Sequence, residues 1–543
     1  MILTDKFYKR ILLLCLSGLL TGITVAFPQF GVLGWLTLIP FAIFLLSVAS
    51  DKSTKLYSMY LYGFAFFMSY YVVIFHWFVN LYPLEFIDGM TKGGALAVVL
   101  FASVGLSFFQ AVQSGLLFII AALIFRSRIG QRLECLKPLV ITALWTVLEW
   151  YHTLGWWGTP WSRISIGQTR MLFGIQTASV LGSYFVTFLV VLANAYLAYG
   201  IIAVINKKDR LRKKALVLSS VICLSAILIQ YGGGFCLWLA NAPDGDEERV
   251  TVAVIQGNIA SGEKWEEDTA EKTLRIYAEY TKKAADEGAE IVVFPETALP
   301  WEVKEGNKRY TYLSELAKNC KVTILAGVFT SEGEGKDRKE YNSIVCFTPD
   351  GKMSDTVYNK RHLVPFGEFV PFKTLIETLV PPLADLVMSA GEVAQGEGAN
   401  IFRLKEANIG SLICFDSIFE ELTLESARAG AELICLSTND SWFTDSAALY
   451  MHTAQAQLRA VESGRYIARA ANTGISAVVT HRGEIVEQLD PLVDGMIVEE
   501  VELHTERTVY SYVGNLFVYL CIAFLTIMLV LSLCTLPKRN EEI

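Results

Sequence analysis

The chain has 543 residues, 53% hydrophobic and 18% charged, where an ordinary soluble chain carries about 25% charged residues. This excludes a wholly soluble protein, and the net charge of −8 excludes the basic footprint of a nucleic-acid binder. Long apolar stretches fill the region before residue 240 and recur near the end, and the segment between them reads as soluble.

Eight stretches are predicted to span a membrane: Ile11–Phe27, Val32–Val48, Leu56–Val79, Ala95–Phe125, Leu139–Tyr151, Ile175–Ile205, Ala215–Leu239 and Tyr512–Leu536. Each crossing needs roughly 20 apolar residues, and the first and fifth are short or interrupted. The expected organisation is a bundle of about seven helices over 1–240, a linker over 241–249, a soluble domain over 250–507, and a final helix with a short tail over 508–543.

Basic residues orient the spans. Lys6, Lys9 and Arg10 precede the first, and Lys52 and Lys55 follow the second. Arg126, Arg128, Arg132 and Lys137 follow the fourth, Lys207 to Lys214 are dense in Lys and Arg after the sixth, and Lys538 and Arg539 follow the eighth. The alternate loops carry only Lys92, Arg163 and Arg170. Both termini are therefore expected in the cytoplasm, with the soluble domain on the far side, the periplasm in a bacterium with two membranes. The first span lacks a small-x-small cleavage site, so an uncleaved signal anchor is expected. Asp244 to Glu248 reads as a solvated linker.

The soluble segment alternates strands and helices. Strands are predicted over Val250–Gln256, Glu290–Phe294, Val322–Val328, Tyr341–Phe347, Lys352–Tyr358, Ile409–Ile413, Glu432–Ser437, Tyr466–Ala471, Ile475–Thr480 and Glu484–Leu489. Helices are predicted over Glu266–Glu287, Ser417–Ala429 and Ala447–Ser463. This is a layered α/β pattern.

Three polar residues follow strands, where catalytic groups collect in open α/β sheets. Glu296 lies in FPETALPW, Lys360 in YNKRHLVPFGEFVPF, and Cys414 in SLICFDSIFEE. A carboxylate takes a thiol proton, an ammonium stabilises a developing oxyanion, and the thiolate attacks a carbonyl. The trio suits acyl transfer through a thioester. Spacing alone leaves Cys435, in LICLSTN, as a rival to Cys414, although its mid-strand position points it into packing. The soluble-domain cysteines Cys320, Cys346, Cys414 and Cys435 form no C-x-x-C pattern, and no cofactor or metal is expected.

FPETALPW, KRHLVPFGE and LICFDSIF resemble, in order, the three motifs of the nitrilase or carbon–nitrogen hydrolase superfamily. IQGNIASGEKW, LVPFGEFVPF, STNDSWF, QLRAVESGRYIARAANTGIS and GTPWSRISIGQT, with the membrane frame, make the whole chain resemble the apolipoprotein N-acyltransferase family. The resemblance implies a four-layer αββα sandwich on a membrane helical bundle. It implies Glu296 as general base, Lys360 as oxyanion stabiliser and Cys414 as nucleophile. Glu368 matches a supporting carboxylate, and Trp265 an aromatic on a substrate-side loop. The implied partners are a phospholipid acyl donor, a diacylglyceryl-modified apolipoprotein acceptor and the bilayer of a bacterial inner membrane. Phe415-Asp416 departs from the family's more usual Tyr-Glu, which puts local hydrogen bonding and donor preference in question.

The run from Phe366 to Met388 is dense in Phe, Leu, Val and Pro, and begins six residues after Lys360. It is expected to form an apolar lid that admits a lipid tail, or to pack on the bundle. His76, Glu149 and His152 are ionisable candidates at membrane depth or at its interface. Trp156, Trp157 and Trp161 suit an outer aromatic belt. A membrane-tethered amidase, in which water resolves the thioester, and a non-catalytic lipoprotein-binding homologue are the alternative readings.

Overall fold

A computed structural model of the chain describes residues 6–84, 90–206, 209–243, 245, 247–260, 267–374, 378 and 392–535. Among these, seven helices are long and apolar enough to cross a membrane: Phe7–Ala26, Pro28–Val48, Leu56–Ile74, Lys92–Arg126, Ser183–Ile205, Arg210–Ala240 and Leu516–Cys534. The fifth predicted span is the 15-residue helix Lys137–Tyr151. At about 1.5 Å per residue it is shorter than a hydrocarbon core of about 30 Å. It is packed against helices Ser183–Asn206 and Leu516–Cys534, and every residue from Val140 to Thr146 is buried. The sixth span starts later than predicted, because two short helices, Leu172–Ile175 and Ala178–Leu181, precede Ser183. Helices Phe7–Ala26 and Leu56–Ile74 touch backbone to backbone. A Cβ on Gly18 would lie 2.4 Å from the Phe66 carbonyl oxygen, so only glycine permits this approach.

Between the last two spans stand two six-stranded sheets. The first runs β12-β1-β2-β3-β4-β5, with β1 Arg249–Gln256, β2 Ile291–Val293, β3 Thr323–Glu332, β4 Lys339–Phe347, β5 Met353–Asn359 and β12 Gly495–Glu502. The second runs β11-β10-β9-β8-β7-β6, with β6 Phe402–Arg403, β7 Asn408–Ile413, β8 Leu433–Thr438, β9 Tyr466–Ala471, β10 Ala477–Val479 and β11 Ile485–Gln488. In each sheet three central strands are parallel, β1-β2-β3 and β7-β8-β9. Buried on both faces, these strands read as continuous apolar runs. Val252, Val254, Val293 and Leu325 of one sheet pack against Ile409, Ile413, Leu433 and Cys435 of the other.

A helix layer covers each outer face. Glu267–Asp286 and Lys308–Cys320 cover the first sheet. Glu420–Arg428 and Ala447–Ser463 cover the second, and their apolar core is continuous with the membrane bundle. The domain is thus a four-layer αββα sandwich with one helix layer fused to the bundle.

Three elements are additions to the sequence reading. The helix Lys308–Cys320 starts at Asn307, whose side chain accepts from the Tyr310 N–H at 2.8 Å, and it buries Leu313, Leu316 and Ala317. Strand β6 is only two residues long. Strand β12 is half exposed and gains its place by antiparallel pairing along the whole of β1. The helix predicted from Ser417 starts at Glu420, because Cys414–Ile418 forms a 3-10 turn.

Trp156 and Trp157 are exposed, as an aromatic belt requires, but Trp161 is not. It is buried at the junction, 5.9 Å from the Phe443 ring and 5.8 Å from the His452 ring. Glu149 is buried in the bundle and accepts from Trp145 Nε1 at 2.9 Å, Ile164 N at 2.9 Å and Thr187 Oγ1 at 2.8 Å. Its oxygens join three segments of the bundle. His152 is also buried, and His76 Nδ1 lies 2.6 Å from the Val73 carbonyl oxygen.

Candidate active site

The carboxyl ends of four strands converge between the two sheets. β2 leads into Glu296, β5 into Lys360, β7 into Cys414 and β8 into Asn439. Ser437 Oγ donates to the Phe294 carbonyl at 2.8 Å and ties the end of β8 to the end of β2. Three of these exits carry a left-handed non-glycine residue: Thr297 (φ 45°), Cys414 (φ 48°) and Asp440 (φ 52°). Such backbone is costly and persists only where surrounding contacts over-determine it. Gly327 on β3 is part of that fit, since a Cβ there would sit 2.2 Å from the Pro295 carbonyl oxygen.

Lys360 Nζ lies 2.8 Å from Glu296 Oε1 and 2.9 Å from Glu368 Oε1. Asn342 Nδ2, on β4, donates to the same two oxygens at 2.8 and 3.2 Å. The other Glu296 oxygen accepts from the Asn439 N–H at 3.0 Å, and the other Glu368 oxygen from the Val364 N–H at 2.9 Å. Lys360 and Glu296 are buried; Glu368 is slightly open. Burial alone would push the Lys360 ammonium towards neutrality. The charges of Glu296 and Glu368 outweigh it and hold the pKa well above its usual value.

Cys414 is half-buried, whereas Cys435 is fully buried in the inter-sheet core. Burial pushes the Cys414 thiol well above its usual pKa, the Glu296 carboxylate adds to this, and Lys360 offsets it only in part. The shift favours the protonated thiol, so any attack by it would need a base to take the proton. Burial also raises the Cys435 thiol, with no cation among its causes.

Asp416 ties two loops together. Its Oδ1 accepts from the N–H groups of Arg361 (3.2 Å) and His362 (2.7 Å), and its Oδ2 from Ile413 N (3.1 Å) and Tyr358 OH (3.0 Å). One carboxylate thus binds the loop after Lys360 to the turn that holds Cys414. Phe415 packs edge-on against Phe419 at 5.4 Å.

Beneath the turn, Ser417 Oγ donates to the Cys414 carbonyl at 2.8 Å and lies 2.8 Å from His452 Nε2. His452 Nδ1 is 3.0 Å from Asp440 Oδ1, and Asp440 pairs with Arg469. Asp440 is buried, which would raise its pKa, yet the Arg469 and His452 charges hold it below the usual carboxylate range.

The site thus brings together Glu296, Lys360, Cys414, Glu368, Phe415 and Asp416. Trp265 lies outside the described residues. Of the apolar run from Phe366, residues 366–374 and 378 are described. Phe366 and Phe372 are exposed, and the Phe372 ring meets that of Trp156 edge-on at 5.3 Å. Asn342, Asn439 and the Ser417–His452–Asp440 chain are missing from the sequence reading. Asn342 has one visible signal, an amide within the mostly apolar strand YNSIVCF.

Comparison with known proteins adds to this geometry. Residues 17–196 match the model of the apolipoprotein N-acyltransferase N-terminal domain, and residues 251–510 match that of the carbon-nitrogen hydrolase family. An apolipoprotein N-acyltransferase of Geobacter metallireducens is 30% identical over 94% of this chain and 93% of its own length. One of Gloeobacter violaceus is 30% identical over 97% and 94%. The crystal structure of Saccharomyces cerevisiae Nit3, of the nitrilase superfamily, aligns with 49% of this chain and 93% of its own, at 23% identity and a TM-score of 0.37.

Proposed function

The chain belongs to the apolipoprotein N-acyltransferase family, and on that premise we propose that it carries an acyl chain from a phospholipid, as a thioester on Cys414, to the α-amine of a lipoprotein's diacylglyceryl-cysteine. One observation carries the residue assignment: a half-buried thiol ends a parallel strand beside a buried lysine gripped by two carboxylates.

In the first half-reaction the Cys414 sulfur attacks the ester carbonyl while Glu296 takes the thiol proton. Lys360 faces the oxygen that becomes negative. Collapse of the tetrahedral species expels the lysophospholipid oxygen, which receives the proton from Glu296. In the second, the acceptor amine attacks the thioester and yields a proton to Glu296; the departing sulfur takes it back. A protonated resting thiol suits this cycle, because its proton leaves with the lysophospholipid and the acceptor amine's proton restores it. Glu368 and Asn342 hold Lys360 and Glu296 in register, and Asp416 holds the two loops together.

The membrane supplies both lipid substrates. The exposed Phe366 and Phe372, the latter against Trp156 of a bundle loop, offer an apolar approach on the segment that follows Lys360. The basic loops favour a periplasmic domain with both termini in the cytoplasm.

Purified protein mixed with phospholipid is expected to gain one acyl mass on Cys414, labile to hydroxylamine. A diacylated lipopeptide with a free α-amine then becomes triacylated. Release of free fatty acid alone would favour an amidase-like hydrolase. Full turnover by Cys414→Ala would overturn the nucleophile.

A further inference from the structure

Away from the active site, three side chains with metal-ligating atoms converge where the domain meets its membrane connections. His481 lies in the turn between β10 and β11, Glu502 ends β12, and His504 follows two residues later. One ligand atom from each lies within 4.8 Å of the other two. We propose that His481, Glu502 and His504 bind a divalent transition cation of the zinc class, which staples the two sheets and both membrane connections together.

The hydrogen bonding of His481 prepares it as a ligand. Its Nε2 lies 2.8 Å from the Asn241 carbonyl oxygen. A carbonyl only accepts, so Nε2 carries the hydrogen and Nδ1 keeps its lone pair. That Nδ1 is buried and has no hydrogen-bond partner among the described residues, in a side chain about nine-tenths buried. A ring N–H given to a backbone carbonyl is the outer-shell arrangement that orients metal-binding histidines. An orphaned buried nitrogen is costly, and a cation would satisfy it.

The carboxylate is divided in a matching way. Glu502 Oε1 meets Arg249 Nη2 at 3.2 Å, and Oε2, which also accepts from Tyr466 OH at 3.4 Å, lies 3.5 Å from His504 Nε2. That separation is long for a charge-assisted hydrogen bond. It matches the edge of a tetrahedron with bonds of about 2.0–2.1 Å, which is about 3.4 Å. The two imidazoles are in ring contact, with centroids 4.1 Å apart, and Tyr466 stacks on His504 at 5.8 Å. Two imidazoles and one carboxylate suit zinc better than magnesium or calcium, which take oxygen ligands. Water would complete a four-coordinate site.

The position gives the cation a task. Asn241 caps the helix Gly234–Ala240, the last turn before the domain. Leu503 N donates to the Glu248 carbonyl at 2.8 Å, so the linker and the end of β12 already touch. Arg482, next to His481, lies over the Trp238 ring at 4.1 Å. A cation here would hold the exit of one membrane helix against the approach to the last.

The test uses the full-length protein in detergent, stripped with a chelator and titrated with Co2+ and then Zn2+. Wild type is expected to take one Co2+ per chain, with the visible absorption of four-coordinate Co2+ and no thiolate charge-transfer band, and to lose it to Zn2+. His481→Asn and His504→Asn each weaken binding by at least about 100-fold, beyond the 10–100-fold typical of an outer-shell change. Zn2+ raises the melting temperature of wild type and leaves both variants unmoved. No visible Co2+ band in wild type, a thiolate band, or undiminished binding in both variants would each overturn the proposal. Should a variant fail to fold, the wild-type spectrum and its Zn2+-dependent melting decide alone.

Discussion

Two buried ionic clusters sit at opposite ends of the turn that follows Cys414, and they are built differently. At the junction with the bundle, Arg163 pairs with Glu420 at 2.5 Å and Arg459 with Glu462 at 2.6 Å. Tyr184 OH adds a bond to Glu420 at 2.7 Å, and the Ser183 N–H one to Glu462 at 2.8 Å. Two cations meet two carboxylates, and all four side chains are sealed from water. In the active site one cation, Lys360, is shared by two carboxylates, next to a half-buried thiol. Matched, sealed charges hold surfaces together. Surplus carboxylate beside an accessible acid leaves a proton able to move. The same physics of burial serves docking in one cluster and the proposed chemistry in the other.

Glutamine in place of one carboxylate from each cluster tests this contrast most strongly. Glu296→Gln is expected to lower the acyl-transfer rate by about 10²–10⁴-fold, the range of a lost general base, with little change in melting temperature. Glu420→Gln leaves Arg163 without its charged partner and is expected to cost about 3–5 kcal/mol of stability, while the folded fraction keeps its rate. Lipopeptide acylation and thermal unfolding of both variants read the two effects; an exchange of the two outcomes would break the comparison.

A smaller effect is expected at the clamp. Asp416→Asn turns an amide N–H towards backbone donors and loses about 1–3 kcal/mol of bonding. Its rate falls because the Lys360 loop loosens, whereas hydroxylamine-labile acylation still maps to Cys414. An unchanged rate and melting temperature would show that the clamp is not needed.

Acid titration sharpens the junction's side. Burial raises the Glu420 pKa, but Arg163 and Arg459 more than reverse this and bring it from 4.5 to about 2. A depressed carboxylate contributes stability above its unfolded pKa and loses it as pH falls through the folded value. Melting temperature should therefore drop between pH 4.5 and about 2, and less steeply in Glu420→Gln. Equal slopes would remove Glu420 from the balance. Least of all, Cys435→Ala should keep the transfer rate and cost about 1 kcal/mol, as an ordinary core change does.

Much of the molecule was legible in the chain. Apolar runs of bilayer length and uninterrupted inner strands each report a solvent, and solvent preference is local. Cys435 reads as core from its mid-strand place, and the fold keeps it there. The helix Ala447–Ser463 shows the limit. Its polar residues His452, Gln455, Arg459 and Glu462 suggest a watery face, yet the helix is buried nearly all round between the second sheet and the bundle. Trp161 reads as a belt residue for the same reason, since burial by a distant segment leaves no local mark.

By itself the sequence displayed the two solvents, ten of the twelve strands and, through its motif text, Glu296, Lys360 and Cys414 as the candidate site. These depend on periodicity and near neighbours, which a linear chain displays. Only the tertiary structure decided that Asn342 bridges two carboxylates, that Asp416 clamps two loops, and that His481 faces His504 and Glu502. Those contacts join positions 21 or more residues apart, apart from the short bond of Asp416 to Ile413, and arise where strand ends from two sheets converge. Distance along a chain carries no information about such meetings until the sheets have packed.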